Sequence, residues 1–386
     1  MDLVAEMLAA ELPRVGELER ADMLRPPMRR RFTANGGSGG PGFTADRLLN
    51  RFWDYPRWVQ RRRLDYDLFH VVDHSYAQLA HALPPGRVIV SCHDLDAFRS
   101  VLEPERVRRA APFRWMTQRI LAGLRSAAAV LVGTETVRAE LLAHGVVHAD
   151  RIRMVSYGVH PACTTTPYPA ADAAAASMLG PALRERMDLL HVGSTIPRKR
   201  IDVLLRSVAA LRAAGEDVRL VRVGGELTVE QRALAEELRL EHAVVSLPFL
   251  SRDVLAAVYR RAALVVQPSS AEGFGLPVAE AMACGTPVLA SDLPVLREVG
   301  GDAAEYAPVA DVPAWTARVS ALLLERANDP ERWRARQARG VAHAARFSWS
   351  AVARDTADVY LEVWRAATVG RARTPARGSA AVGVRS

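Results

Sequence analysis

The segment of the sequence richest in chemistry runs Glu272-Gly273-Phe274-Gly275-Leu276-Pro277 and continues through Glu280 to Cys284-Gly285. It follows a short apolar run, Leu264 to Gln267, so the Gly-Phe-Gly turn falls at the carboxyl end of a strand, where open α/β sheets bind ligands. Pro277 suits a first helical position because its missing N–H would be an orphan there, and Gly285 suits the position just past the last turn. The turn therefore offers free backbone N–H groups and the positive end of a helix dipole, which together make an anion site. Glu272 and Glu280 frame it. Carboxylates only accept hydrogen bonds and repel phosphate, so beside an anion site they suit the hydroxyls of a sugar or ribose.

Two further residues invite attention. Lys199, in Pro197-Arg198-Lys199-Arg200, is the sole lysine among 51 Lys plus Arg residues. His93 follows the apolar run Val88 to Cys92 and so lies at another strand's carboxyl end, on the side expected to face an inter-domain crevice. His70 and His74 read as structural or acceptor-side residues, and no second set of ligands stands at metal-binding spacing.

The elements that must position these groups alternate. Met187 to Gly193, Val218 to Val223, Ala243 to Leu247, Leu264 to Gln267 and Pro287 to Ala290 read as strands. Helical spacing over Ile201 to Ala214, Thr228 to Leu240, Arg252 to Ala262 and Pro277 to Cys284 lies between them. Strand–helix alternation of this kind indicates βαβ units and a parallel sheet covered on both faces. The first half shows strands at Val88 to Cys92, Ala128 to Val132 and Ile152 to Val155, with helical patterns at Trp115 to Arg125 and Thr136 to Ala143. Helical spacing of Leu3, Val4, Met7, Leu8 and Leu12 starts at once, so the first domain is expected to lack its first strand, which would lie upstream of Met1.

Length and composition bound the rest. The 386 residues suit two domains, 49% of them are hydrophobic, and the formal charge of +8 is spread along the chain and mostly interleaved with acids. The expected division is an acceptor-side domain at 1–163, a linker at 164–186, a donor domain at 187–349, a last helix near 350–366 packing back on the first domain, and a disordered tail at 368–386. Cys92, Cys163 and Cys284 form no C-x-x-C pair, and no apolar stretch approaches the roughly 20 residues of a membrane helix. An acidic N-terminus unlike a signal peptide makes a cytoplasmic location the expectation. The glycine run Gly36 to Gly42 lacks the Lys-Ser/Thr of a phosphate loop and reads as a flexible surface loop. Arg61-Arg62-Arg63 and the amphipathic stretch Arg106 to Arg125 leave room for peripheral contact with an anionic membrane at its inner face, with an ordinary surface helix as the alternative.

The string Glu-Gly-Phe-Gly-Leu-Pro with a second glutamate eight positions on resembles the nucleotide-sugar signature of retaining glycosyltransferases of the GT-B fold, specifically family 4 (glycosyl transferases group 1). The resemblance extends through His191 to Arg200, Leu247 to Ser251 and Ala290 to Glu298, and more loosely to Cys92-His93-Asp94 and Gly158-Val159. It implies two Rossmann-like, doubly wound α/β domains facing a central cleft. It implies a metal-independent donor site with no cofactor beyond the nucleotide-diphosphate sugar, GDP- or UDP-linked and carrying a hexose. Arg198 and Lys199 would hold the diphosphate, with Gly193 and the backbone of Gly273, Phe274, Gly275 and Leu276 contacting phosphate and sugar. Glu272 would take sugar hydroxyls, Glu280 the ribose, and Phe249, Leu250 and Ser251 would line the base pocket. His93 would reach toward the donor sugar, completing a catalytic set with Lys199 and Glu272. The resemblance also implies front-face attack, with Glu272 positioning the sugar rather than attacking it. A cation at the leaving diphosphate makes physical sense, since charge develops there as the glycosidic bond breaks. The expected acceptor is a glycan, a lipid-linked molecule or a small molecule, and not a nucleic acid. The alternative is a non-catalytic nucleotide-sugar-binding or scaffold protein with a truncated acceptor domain.

Overall fold

A computed structural model describes residues 2–16, 18–33, 40–180, 187–368 and 379–384, with backbone alone for Asp2 and for 379–384. The chain divides into two compact units, Met1–Gly158 with Trp349–Ser386, and Val159–Ser348. Each is an α/β unit built on an all-parallel six-stranded sheet.

In the first unit the strands are β1 (Arg20–Leu24), β2 (Leu68–Val71), β3 (Val88–Cys92), β4 (Ala129–Val132) and β5 (Ile152–Met154). The sixth, Ser379–Val384, is numbered β12 because the second unit's strands precede it. The order is β1-β12-β2-β3-β4-β5, with Arg20 opposite Ser379 and Ala380 opposite Leu68. This corrects two expectations. The chain does begin in a helix, Asp2–Val15, but the interior position between β1 and β2 is not vacant, because the strand Ser379–Val384 fills it. The expected disordered tail is a strand over those six residues, and the remainder of that tail, 369–378 and 385–386, lies outside the described residues. A strand paired on both sides is fixed by its ladders more than by its own propensity, so a small-residue run such as Ser-Ala-Ala-Val-Gly-Val serves.

Helix Asp2–Val15 buries Leu3, Val4, Leu8 and Leu12 and packs on the last helix, Trp349–Thr368. That helix is tied to the sheet by the Tyr360 hydroxyl, 2.7 Å from His70 Nδ1. Gly158 lies so close to the Trp349 ring that a Cβ would come within 2.5 Å of it. Helix Ala111–Ser126 buries Thr117, Ile120, Leu121 and Leu124, while Phe113 and Trp115 in its first turns are 43% and 60% exposed. No acid occurs between Glu105 and Glu135, although six arginines do. The glycine run splits: 34–39 lie outside the described residues, and Gly40–Gly42 open helix Gly40–Leu49.

In the second unit the strands are β6 (Met187–Val192), β7 (Val218–Val223), β8 (Val244–Leu247), β9 (Leu264–Gln267), β10 (Val288–Ser291) and β11 (Glu305–Ala307), in the order β11-β10-β9-β6-β7-β8. The direction of winding reverses between β6 and β9, so the loops leaving their carboxyl ends diverge there and open a crevice. The expected linker is instead part of this unit. Helix Pro169–Leu179 packs on helix Arg252–Arg261, with Arg260 bonding Asp172 at 2.6 Å and Arg261 donating to the Gly180 carbonyl at 2.6 Å. Its buried face, Ala171, Ala175 and Leu179, is built mostly of alanine, which lets two helices approach closely. Residues 181–186 lie outside the described residues.

Candidate functional site

The switch point of the second unit gathers Gly193, Arg198, Lys199, Glu272 and the Gly273–Leu276 turn, while Phe249, Leu250 and Ser251 follow the edge strand β8. The loop after β6 carries Arg198 and Lys199, the loop after β9 carries Ser269 to Gly275, and the two are stitched together. The Ser270 N–H donates to the Arg198 carbonyl at 2.8 Å, and the Arg198 guanidinium donates to the Ala271 carbonyl at 2.9 Å.

At the centre, Lys199 Nζ donates to Glu272 Oε1 at 2.5 Å, with side-chain exposures of 11% and 7%. The same Oε1 also accepts from Ser269 Oγ at 2.7 Å and Gln267 Nε2 at 3.0 Å. Oε2 faces Arg198 at 3.6 Å. Burial pushes the Glu272 carboxyl upward, but the Lys199 charge and these three bonds outweigh it and hold the group below its usual value. Glu272 is therefore an ionised acceptor with one oxygen engaged and the other turned to the arginine. Gln267 and Ser269 were not anticipated, although polar residues closing an apolar strand were a legible signal.

Beyond the turn, helix Leu276–Ala283 starts from Gly275, whose φ of +97° is left-handed. A Cβ there would also lie 2.6 Å from Leu296 Cδ2, so both conformation and space call for glycine. Phe274 packs edge-on against Phe347, ring centroids 5.7 Å apart. Glu280 is buried inside the helix and accepts from the Tyr259 hydroxyl at 3.0 Å. Burial raises its carboxyl above the ordinary range, against the lowering influence of that hydroxyl and of Arg252. Phe249 is 82% exposed in the loop after β8, with Leu250 and Ser251 beside it, so its ring face is open to stacking.

His93 is placed differently from its expectation. It is buried in the first unit, where Nε2 lies 2.6 Å from the Val72 carbonyl and Nδ1 meets the Tyr157 hydroxyl. A carbonyl only accepts, so Nε2 carries the proton and Nδ1 accepts from the tyrosine. Burial and the nearby His74 push the imidazole down to about 4. Both ring nitrogens are thus used inside the fold rather than turned to a ligand. His70 is similarly enclosed, between Tyr360 and Ser91.

Residues 182–339 match the family described as glycosyl transferases group 1, and residues 18–162 match glycosyltransferase family 4. The D-inositol 3-phosphate glycosyltransferase of Xylanimonas cellulosilytica is 33% identical over 336 residues, taking in 83% of this chain and 70% of that protein. The protein so named in Segniliparus rotundus is 40% identical over 220 residues, 54% of this chain and 46% of that one. The chain therefore spans about half the length of several of the curated relatives it matches. Among solved structures, sucrose-phosphate synthase from Thermosynechococcus elongatus superposes with a TM-score of 0.71 at 22% identity, covering 93% of this chain and 92% of that one. Anabaena HepE in complex with UDP-glucose gives 0.66 at 18% identity, covering 81% and 84%. These likenesses show the fold, two Rossmann-like units in the GT-B manner.

Proposed function

Because the chain belongs to glycosyltransferase family 4, the glycosyl transferases group 1, we propose that it moves a hexose from a nucleotide-diphosphate sugar to an acceptor with retention at the anomeric carbon. The observation that carries this reading is the buried Lys199–Glu272 pair, formed between the two loops of the switch point and next to the start of helix Leu276–Ala283. The diphosphate lies against Lys199, Arg198 and the backbone of the turn. As the bond from C1 to the phosphate oxygen breaks, charge grows on the leaving phosphate, and these donors stabilise that charge more than the ground state. The acceptor oxygen bonds to C1 from the same face and its proton passes to the departing phosphate.

Glu272 orients the sugar through Oε2. Three hydrogen bonds to Oε1 and the Arg198 charge beside Oε2 draw electron density from the whole carboxylate and weaken it as a nucleophile, which supports positioning over a covalent intermediate. Glu280 takes the ribose hydroxyls and the exposed Phe249 stacks on the base. His93, with both nitrogens engaged, holds the turn after β3 and is assigned no contact with substrate. The likeness to a structure that holds UDP-glucose supports a UDP-linked donor, and the relatives' names make a phosphorylated polyol such as inositol 3-phosphate the first acceptor to try. No described helix is long and apolar enough to cross a membrane. The acid-free, arginine-rich stretch with exposed Phe113 and Trp115 favours peripheral contact with anionic lipid.

The test incubates the full chain with UDP-, GDP- and ADP-hexoses, with and without inositol 3-phosphate or anionic phospholipid vesicles, and measures nucleoside diphosphate release. Release from one donor, stimulated by an acceptor, is the expected result. Tight donor binding without release or transfer under any condition favours the non-catalytic binding protein.

A further inference from the structure

Strands β6 and β7 pair with His191 opposite Arg222, so the two side chains leave the same face of the sheet from adjacent strands. Both are fully buried, where the neighbouring positions on that face, Leu189 and Leu220, belong to the apolar core. Among the described residues no carboxylate forms a salt bridge with Arg222, and only the exposed Glu226 acts on its charge, from a greater distance. Its two terminal nitrogens donate to the carbonyls of Gly193 at 3.1 Å and Gly225 at 3.2 Å, and no group of the described residues bonds its Nε. Neither ring nitrogen of His191 has a hydrogen-bond partner among the described residues. A buried cation without a salt bridge and a buried imidazole without hydrogen bonds both cost stability, so their presence at the carboxyl end of the sheet requires a compensating gain.

The surroundings indicate what that gain is. Gly193 opens the turn that ends at Lys199, and Gly225 belongs to the turn after β7. The turns interlock: a Cβ on Gly224 would lie 2.4 Å from the Gly193 carbonyl oxygen. A Cβ on Gly193 would stand 3.3 Å from His191 Cε1, 3.5 Å from Lys199 Cε and 3.7 Å from His191 Nε2. The imidazole edge and the lysine stem therefore border the same space over the Gly193 backbone. Burial, with the charges of Arg222 and Lys199, keeps His191 neutral. Burial pulls Arg222 down to about 10, still charged at neutral pH. Lys199 and Glu272 neutralise each other, so the buried charge left under the turn is that of Arg222, with Glu226 at the exposed surface as its nearest opposing charge.

We propose that Arg222 and His191 form the floor of the donor's phosphate site, Arg222 fixing the Gly193–Lys199 turn and supplying a buried positive charge, and His191 backing the Gly193 turn on the side where the stem of Lys199 passes. Both are positioning residues. The inference rests on the reading that this unit binds a nucleotide sugar.

The test titrates UDP, GDP and ADP, and the matching nucleosides as probes without phosphate, into the full chain by calorimetry at low and moderate salt. Wild type should bind one diphosphate, and Arg222→Met should weaken that binding by about a hundredfold while leaving the nucleoside's weaker binding unchanged. Arg222→Lys, which keeps the charge but cannot span both carbonyls, should recover about tenfold of that loss. His191→Leu should cost about tenfold for the diphosphate alone, and His191→Gln, which keeps a donor and an acceptor, should stay within about threefold. If Arg222→Met does not fold, Arg222→Lys and the His191 pair carry the same comparison. Diphosphate binding unchanged in the variants, or an equal loss for nucleoside and diphosphate, overturns the proposal. Failure of wild type to bind any nucleoside diphosphate overturns the donor-site reading on which it rests.

Discussion

Replacing Lys199 with methionine should separate the structural and chemical roles of the buried pair. The substitution removes the donor 2.5 Å from Glu272 Oε1 and leaves Ser269 at 2.7 Å, Gln267 at 3.0 Å and Arg198 at 3.6 Å from the carboxylate. Breaking a buried ion pair by removing one partner costs about 3–5 kcal/mol, and the two remaining neutral donors place the expected loss near ~3 kcal/mol at pH 7. The pH dependence gives the sharper signature. In wild type the Glu272 carboxyl is held below its usual value of 4.5, so its contribution is complete above that pH and is lost as pH falls through the lowered folded value. In Lys199→Met the upward push of burial prevails, so the folded variant takes up a proton as pH drops from 7, and its deficit shrinks. Urea unfolding followed by tryptophan fluorescence at pH 7, 6 and 5 should show the two proteins converging toward the acid end. Transfer should fall by about 10²–10³ in kcat/KM, and adding Glu272→Gln should recover stability without recovering transfer. A stability difference below about 0.5 kcal/mol, which is surface-substitution scale, or one that does not change with pH, would refute the buried-pair argument.

Other perturbations follow from the same geometry. Gly275→Ala must place a Cβ at φ +97° and 2.6 Å from Leu296, so a loss of about 1–3 kcal/mol in thermal unfolding is expected, together with weaker nucleoside diphosphate binding. His93 and His70 are pushed down to about 4 and about 3, so below pH 6.5 the unfolded chain binds protons that the folded chain refuses. Stability should therefore decline on acidification by about 1.4 kcal/mol per pH unit for each, and His93→Gln should flatten the slope; an unchanged slope counts against the enclosed neutral histidine. A chain ending at Thr368 should lose amide protection at Leu68–Val71, which pairs with β12, while Met187–Val192 in the other unit stays protected. Equal protection in both would mean that β12 does not hold the sheet.

The second unit's sheet was legible because its strands are short apolar runs between turn signals and its donor loops carry residue types with few other uses. What escaped depended on partners far along the chain. Ser379–Val384 has neither a bulky apolar run nor a clear period-two pattern, and its ladders with β1 and β2 make it a strand. Pro169–Leu179 looked like a linker because alanine hides the stripe that packs it on its neighbour. His93 sat at the predicted strand end, but the direction of its ring depends on Tyr157 and Val72, which no local pattern announces. Arg222 was visible as a charge inside an apolar strand, yet its meaning required the register that sets it opposite His191.

The most direct test of the central claim is calorimetric titration of UDP-hexose and GDP-hexose into wild type and Lys199→Met. Saturable one-to-one binding of one donor by wild type, weakened at least a hundredfold in the variant, is the predicted result. A wild-type chain that binds neither donor, or a variant that binds as tightly as wild type, would contradict a donor site built on the Lys199–Glu272 pair.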